Sequence, residues 1–256
     1  MEGHNGRTTI QSVDRAIEIL RCFEHEDELG ITELGKRLGL HKSTVFGLVN
    51  TLVSNKLVEK APGGDKYRLG IELFRLSANV RSGIREIGAP HIRQLVEATG
   101  ETVNLVIPDG TDVVYVEKKE SPHSMRICTS IGQRMPMYCT AVGKTILAFM
   151  GEAERDAIIR DMELTPRTEN TICTREELIA QLTKVRNSGY ALDDEELEYG
   201  LVCVAVAVFN KHGEPVAALS VSGPKQRMGE NKISGIYGEL AAHSREISRQ
   251  IFMHTA

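Results

Sequence analysis

Apolar residues recur at helical spacing from near the start of the chain. Val13, Ala16, Ile17, Leu20 and Phe23 follow Ser12 at i, i+3, i+4 and i+7 intervals, which predicts an amphipathic helix over 12–24 with Ser12 as its cap. The acidic run EHEDELG ends it. Thr32 is then expected to cap a short second helix with Leu34 and Leu38 inward and Gly39 as its stop. A third helix, from about 41 to 55, would bury Val45, Leu48, Val49 and Leu52. Leu57-Val58, the turn-rich APGGDK and Tyr67-Arg68-Leu69-Gly70 together read as a hairpin. Three helices and a hairpin in this order make a winged helix-turn-helix.

Downstream the pattern changes. Leu73, Leu76, Val80, Ile84 and Ile87 form one stripe of a helix that is expected to connect two domains, broken at Gly88-Ala89-Pro90, with Pro90 in the first turn of a helix over 90–99. Val103, Leu105 and Ile107 alternate up to Pro108-Asp109-Gly110 and are followed by a strand over 113–118, a hairpin; residues 125–130 read as a further strand. Helices are expected over 140–150 and 152–162, and Thr174-x-x-Glu177 is a capping box opening a helix that ends near Gly189. The run from Leu201 to Phe209 is apolar on both faces and so should be a central strand, paired through an Asn210-Lys211-His212-Gly213 turn with a strand over 215–222. A long helix over about 230–252 completes an antiparallel sheet covered by helices, an α+β fold. The expected organisation is a DNA-binding type domain over 8–70, a linker helix over 71–88 and a second domain over 89–256.

Composition narrows the function classes. With 256 residues and 41% hydrophobic content, two domains can each bury a core. The longest apolar run is far short of the ~20 residues that cross a bilayer, and MEGHNGRTT lacks the apolar core of a signal peptide, so a cytoplasmic protein is expected. Five cysteines without a C-x-x-C pair and eight histidines without zinc-finger spacing argue against disulfides and a structural metal, and no cofactor is expected. Charge is more informative. The chain carries -4 overall, yet from Lys36 to Arg85 ten basic residues meet three acidic ones, a local +7 that leaves -11 elsewhere. A single basic segment in an acidic chain points to a polyanion partner for that segment, although solvated basic faces would give the same count.

The third helix is led by short polar residues, His41, Lys42, Ser43 and Thr44. A helix entering the major groove meets bases and phosphates with its N-terminal residues, where unpaired N–H groups and short side chains reach the DNA. Lys60, Lys66 and Arg68 on the hairpin, and Arg7 in the N-terminal arm, are placed to meet adjacent phosphates. The plainer alternative is that Ser43 and Thr44 only cap the helix.

The stretches LHKSTVFGLVNTL, MYCTAVGKTILA, GYALDDEELEYGLVCVAVAV and AALSVSG, in this order and spacing, make the chain resemble the IclR family of bacterial transcription regulators from about residue 8 onward. The resemblance implies a winged helix-turn-helix, a linker helix and a GAF-like effector-binding domain. It further implies a homodimer or dimer of dimers on a palindromic double-stranded operator, answering to a small organic-acid effector, with repression more common than activation. One departure is Gly47, where family members commonly carry Arg; it puts one base or phosphate contact in doubt and hints at close packing or close backbone approach there. Carried over by resemblance, the effector pocket falls on Thr140, Ala141 and Val142, on Asp193, Leu201 and Cys203, and on Ser220 and Ser222, with Ile127 and Met135 as apolar wall. Helix N-terminal N–H groups, serine hydroxyls and an acceptor carboxylate suit a small carboxylate or hydroxy acid. The alternatives are serines on a solvated sheet face and Cys203 as a plain buried hydrophobe.

The same residues bear on other function classes. Gly143-Lys144-Thr145 ends like a P-loop, but the required first glycine is Tyr138. A cysteine hydrolase using Cys203 and His212 would need nine residues of strand to fold back across about 25 Å. Spacing leaves Cys139 with His123 or His91 open, but no nucleophile motif surrounds Cys139. No enzyme is expected. An effector-binding module acting on a protein partner is the remaining alternative, and salt-dependent DNA binding separates it from a regulator.

Overall fold

A computed structural model describes residues 9–24, 26–77 and 82–254. Arg7 lies outside the described residues. The chain divides into two compact units, Met1–Ser82 and Gly83–Ala256.

The first unit contains α1 (Gln11–Arg21), β1 (Leu29–Gly30), α2 (Ile31–Leu38), α3 (Lys42–Ser54), β2 (Val58–Lys60), β3 (Lys66–Leu69) and α4 (Ile71–Ser77). Ile19, Phe23, Leu34, Val45, Val49, Leu52, Val58 and Tyr67 form its core, while Leu38 and Leu48 are only half-buried. Two expected caps are displaced. Ser12 lies inside α1, whose N-cap is Ile10. Thr32 lies inside α2, because the Gly30 N–H donates to the Glu33 carboxylate at 2.7 Å and closes the first turn two residues earlier. Gly39 ends α2 at φ 64°, a left-handed conformation that glycine adopts without a Cβ penalty. The hairpin gains an unforeseen third strand: β1 pairs antiparallel with β3, Leu29 opposite Tyr67.

The second unit is built from α5 (Ser82–Thr99), β4 (Thr102–Asp109), β5 (Asp112–Lys119), β6 (Arg134–Pro136), α6 (Ala141–Phe149), α7 (Glu152–Asp161), α8 (Arg175–Ser188), β7 (Ala191–Asp194), β8 (Leu201–Phe209), β9 (Pro215–Pro224) and α9 (Glu230–His254). The strands form one antiparallel sheet in the order β6-β5-β4-β9-β8-β7. Ile92 and Leu95 of α5 and Ile236, Leu240 and Ile247 of α9 cover one face, packing on Val103, Leu105, Val204 and Leu219. Ile146 and Leu147 of α6 with Leu178 and Leu182 of α8 cover the other, over Val106, Ala205 and Ala218. β8 is an interior strand with both faces buried, in keeping with its continuous apolar run.

Three expectations need correction. The helix does not break at Gly88-Ala89-Pro90: α5 runs through Pro90, and the expected 88/89 domain boundary falls inside it. Proline there removes one helical donor, and the buried Ile87, Ile92 and Leu95 on either side hold the helix to the sheet. Residues 125–130 form no strand; the segment is tied through side chains, Thr102 Oγ1 donating to the Ile127 carbonyl at 2.8 Å and Thr129 Oγ1 to Asn104 Oδ1 at 2.7 Å. The short edge strand falls instead at β6.

Candidate functional site

In the first unit, His41 caps α3: the Ser43 N–H donates to its Nδ1 at 3.4 Å, and Ser43 Oγ lies 2.8 Å from the same nitrogen. Ser43 is thus held by its neighbour, exposed at the helix start, and Thr44 is half-buried. Lys42 and Ser43 border an open concave surface of about 680 Å³ that also reaches Lys60 and Lys66 of the hairpin. Four of the nine residues singled out for DNA contact thereby share one surface. Arg68 is engaged by Glu59 at 2.6 Å and Lys66 by Glu33 at 3.7 Å, whereas Lys42 and Lys60 have no ion-pair partner among the described residues. Gly47 is exposed, and a Cβ added there would meet nothing within 4 Å. The expected close packing at Gly47 is therefore absent from this unit, and space for a longer side chain is present.

In the second unit, one sheet face carries a polar patch. Asp193, Cys203, Ser222 and Thr102 are successive register partners across β7, β8, β9 and β4, and Ala205, Ser220 and Asn104 form the next row. Register partners project to the same face of a sheet, so these side chains stand side by side beneath α6. Ser220 and Ser222 are 2% and 4% exposed, which sets aside the reading of a solvated sheet face. Above them begins α6, whose N-cap Thr140 accepts the Gly143 N–H at 3.2 Å. The first N–H groups of a helix have no intrahelical acceptor, and Ala141 and Val142 supply them here. Gly143 lets the first turn of α6 pack against the segment just before it: a Cβ there would collide with the Met137 backbone.

Between the patch and α6 lies a partly open cavity of about 100 Å³. Ile127, Met135, Thr140, Ala141, Val142, Asp193, Leu201, Cys203, Ser220 and Ser222 all line it. So do Tyr115, Cys128, Thr129, Gln133, Leu197 and Glu198, which the sequence reading missed. Asp193 Oδ1 accepts the N–H groups of Glu196 at 2.8 Å and Leu197 at 3.3 Å, while its Oδ2 is buried without a partner. Burial pushes its carboxyl up to about 7, against the pull of those N–H groups and of Lys144. Lys144, fully buried on α6, is paired with Glu196, whose carboxyl burial also raises.

Residues 12–62 match the model of the IclR helix-turn-helix domain, and residues 77–249 that of the bacterial transcriptional regulator IclR C-terminal domain. The chain belongs to the IclR family. It is 38% identical over 245 residues to the HTH-type transcriptional regulator XynR of Escherichia coli, covering 94% of this chain and 97% of XynR. It is 36% identical over 248 residues to KdgR of the same organism, covering 96% of this chain and 94% of KdgR. Among solved structures it is similar to the Thermotoga maritima IclR, with TM-score 0.79, 32% identity, and coverage of 95% and 99%. The chain is an α+β IclR-family transcriptional regulator, with a helix-turn-helix DNA-binding domain and an effector-binding domain; these relatives are named transcriptional regulators.

The chemistry agrees with the IclR family assignment. Lys144, in the stretch that ends like a P-loop, is spent on Glu196. Burial raises the Cys203 thiol and pushes Cys139 up to about 11, so neither is poised as a thiolate. No helix of the described residues is long and apolar enough to cross a membrane.

Proposed function

We propose that this regulator is a ligand-responsive, sequence-specific repressor of a catabolic pathway, controlled by a small organic-acid metabolite and acting in the cytoplasm as a homodimer or dimer of dimers on a palindromic operator. The observation that carries the ligand reading is the convergence of the α6 N-terminus, two buried serines and Asp193 on one cavity. The ligand carboxylate is held by the Ala141 and Val142 N–H groups and the serine hydroxyls, and its remaining oxygens face Asp193. Tyr115, Ile127 and Met135 set the length and width the carbon skeleton can have.

On the DNA side, His41, Lys42, Ser43, Thr44 and the open position at Gly47 lead α3 into the major groove, and Lys60, Lys66 and Arg68 meet the flanking backbone. Arg7 belongs to the same reading. Repression is favoured because the Escherichia coli relative at 28% identity, covering 93% of this chain and 89% of its own, is named a transcriptional repressor. Self-association is supported by Ile10, Val13 and Ile17, an exposed apolar row along α1. The test is a thermal-shift panel of carboxylic, hydroxy and sugar acids, since a ligand that binds only the folded state stabilises it. A shift that Ser220→Ala removes supports the reading. Salt-insensitive, weak binding to every selected duplex would favour instead a module acting on a protein partner.

A further inference from the structure

The cavity has an electrostatic peculiarity. No lysine or arginine stands among its described lining residues, yet Asp193 and Glu198 do. Lys144, a cation that acts on Asp193, has its ammonium committed to Glu196 and is fully enclosed. Asp193 is 1% exposed; its Oδ1 accepts two backbone N–H groups, and Oδ2 is buried without a hydrogen-bond partner among the described residues. A buried carboxylate oxygen in that position is badly solvated. A second carboxylate brought into the same small space would be unfavourable for both, because like charges at contact cannot both stay ionised.

We propose that Asp193 stands in the cavity as the neutral acid, a hydrogen-bond donor from Oδ2, and that an anionic ligand binds together with this proton. The inference rests on the reading of the cavity as an organic-acid site. It changes Asp193 from an acceptor of a ligand hydroxyl into the donor that selects an anionic oxygen. No covalent bond changes. Where free Asp193 is ionised, one proton passes from solvent to Oδ2 on binding and is shared with the ligand oxygen. The ionisable groups around it are Lys144 on α6, Glu196 and Glu198 in the loop after β7, Cys203 on β8, Tyr115 on β5 and Cys139 ahead of α6. The cysteines and Tyr115 are held neutral by burial, and the Lys144–Glu196 pair offers no spare charge.

Calorimetry with lactate, gluconate and benzoate, each beside its uncharged amide, tests this across pH 6 to 9 in buffers of different ionisation enthalpy. The expected result is an acid whose binding takes up close to one proton above pH 7, with affinity falling about tenfold per pH unit there. Asp193→Asn should make that profile flat. An acid that binds with no proton uptake and no pH dependence overturns the proposal and leaves the organic-acid reading standing. Binding of the amides in preference to the acids overturns both. Carbon-13 NMR of the Asp193 carboxyl in the free wild-type protein decides the point whether or not any probe binds: a protonated carboxyl at pH 6 supports the proposal, and an ionised one overturns it.

Discussion

Cys203 stands opposite Asp193 in the β7–β8 ladder, and Ser222 stands opposite Cys203 in the next. One row of the sheet thus passes from a carboxyl to a thiol to a hydroxyl, all beneath the N-terminus of α6. A cavity bordered by a rigid sheet and a helix start holds its polar groups in place before a ligand arrives, which limits the ordering that binding requires.

Asp193 also writes itself into stability. Its folded value of about 7 lies above the unfolded value near 3.9, so the folded state holds the extra proton between those values, and stability falls as pH rises through that window. Asp193→Asn should remove that slope. Relative to wild type, the variant should gain stability between pH 4 and 7, by an amount on the order of 4 kcal/mol at pH 8. Urea unfolding of both proteins across pH 4 to 8 checks this; parallel profiles would mean that Asp193 is ionised throughout.

The Lys144–Glu196 pair is the buried strut behind the cavity. Lys144→Met leaves Glu196 enclosed without its cation and should lose roughly 3–5 kcal/mol, whereas Lys144→Met with Glu196→Leu should recover most of the loss. Equal losses in the single and double variants, measured by urea unfolding, would place the effect in packing.

Gly143→Ala should destabilise by about 1–3 kcal/mol or more, because the added methyl falls on the Met137 backbone, which has no side-chain freedom with which to yield. The same variant should lose ligand-induced thermal shifts, since α6 would move off the polar patch. A variant of wild-type stability and ligand response would contradict the close approach.

Legibility followed how local each determinant is. The α2–α3 break was readable because Gly39 alone sets it, and the Thr174 cap because its partner is three residues away, with the Glu177 N–H donating to Thr174 Oγ1 at 3.3 Å. Thr32 misled because Glu33, one residue on, reaches back to Gly30 and outcompetes it. Pro90 misled because the contacts that carry α5 through it come from strands remote in sequence. The 125–130 segment has strand-like residues, but side chains hold it, Thr102 and Asn104 among them, a pairing no periodicity announces. In the cavity, the ten residues given by family resemblance lie together, while Tyr115, Thr129 and Gln133, and the Lys144–Glu196 pair behind it, enter only through register and burial. Of these, the alternation of Ser220 and Ser222 on an otherwise apolar strand was the one signal visible in the chain itself.

Lys42 and Arg68 should differ on DNA although both are exposed. Lys42→Ala should lower affinity for all duplexes and reduce the slope of log K against log salt by about 1, while Arg68→Ala should do less, because Glu59 already holds that guanidinium. Gly47→Ala should raise stability by up to ~1 kcal/mol, since its Cβ meets nothing, and Gly47→Arg should raise operator affinity and alter the selected sequence. Salt titrations and site selection on these variants check each statement.

The most direct measurement is operator affinity, by fluorescence anisotropy on a selected palindromic duplex, with and without a saturating acid that gives a thermal shift. The account predicts a change of about 5- to 150-fold that Ser220→Ala abolishes while leaving ligand-free affinity intact. An operator affinity that stays the same in the saturating acid would contradict it.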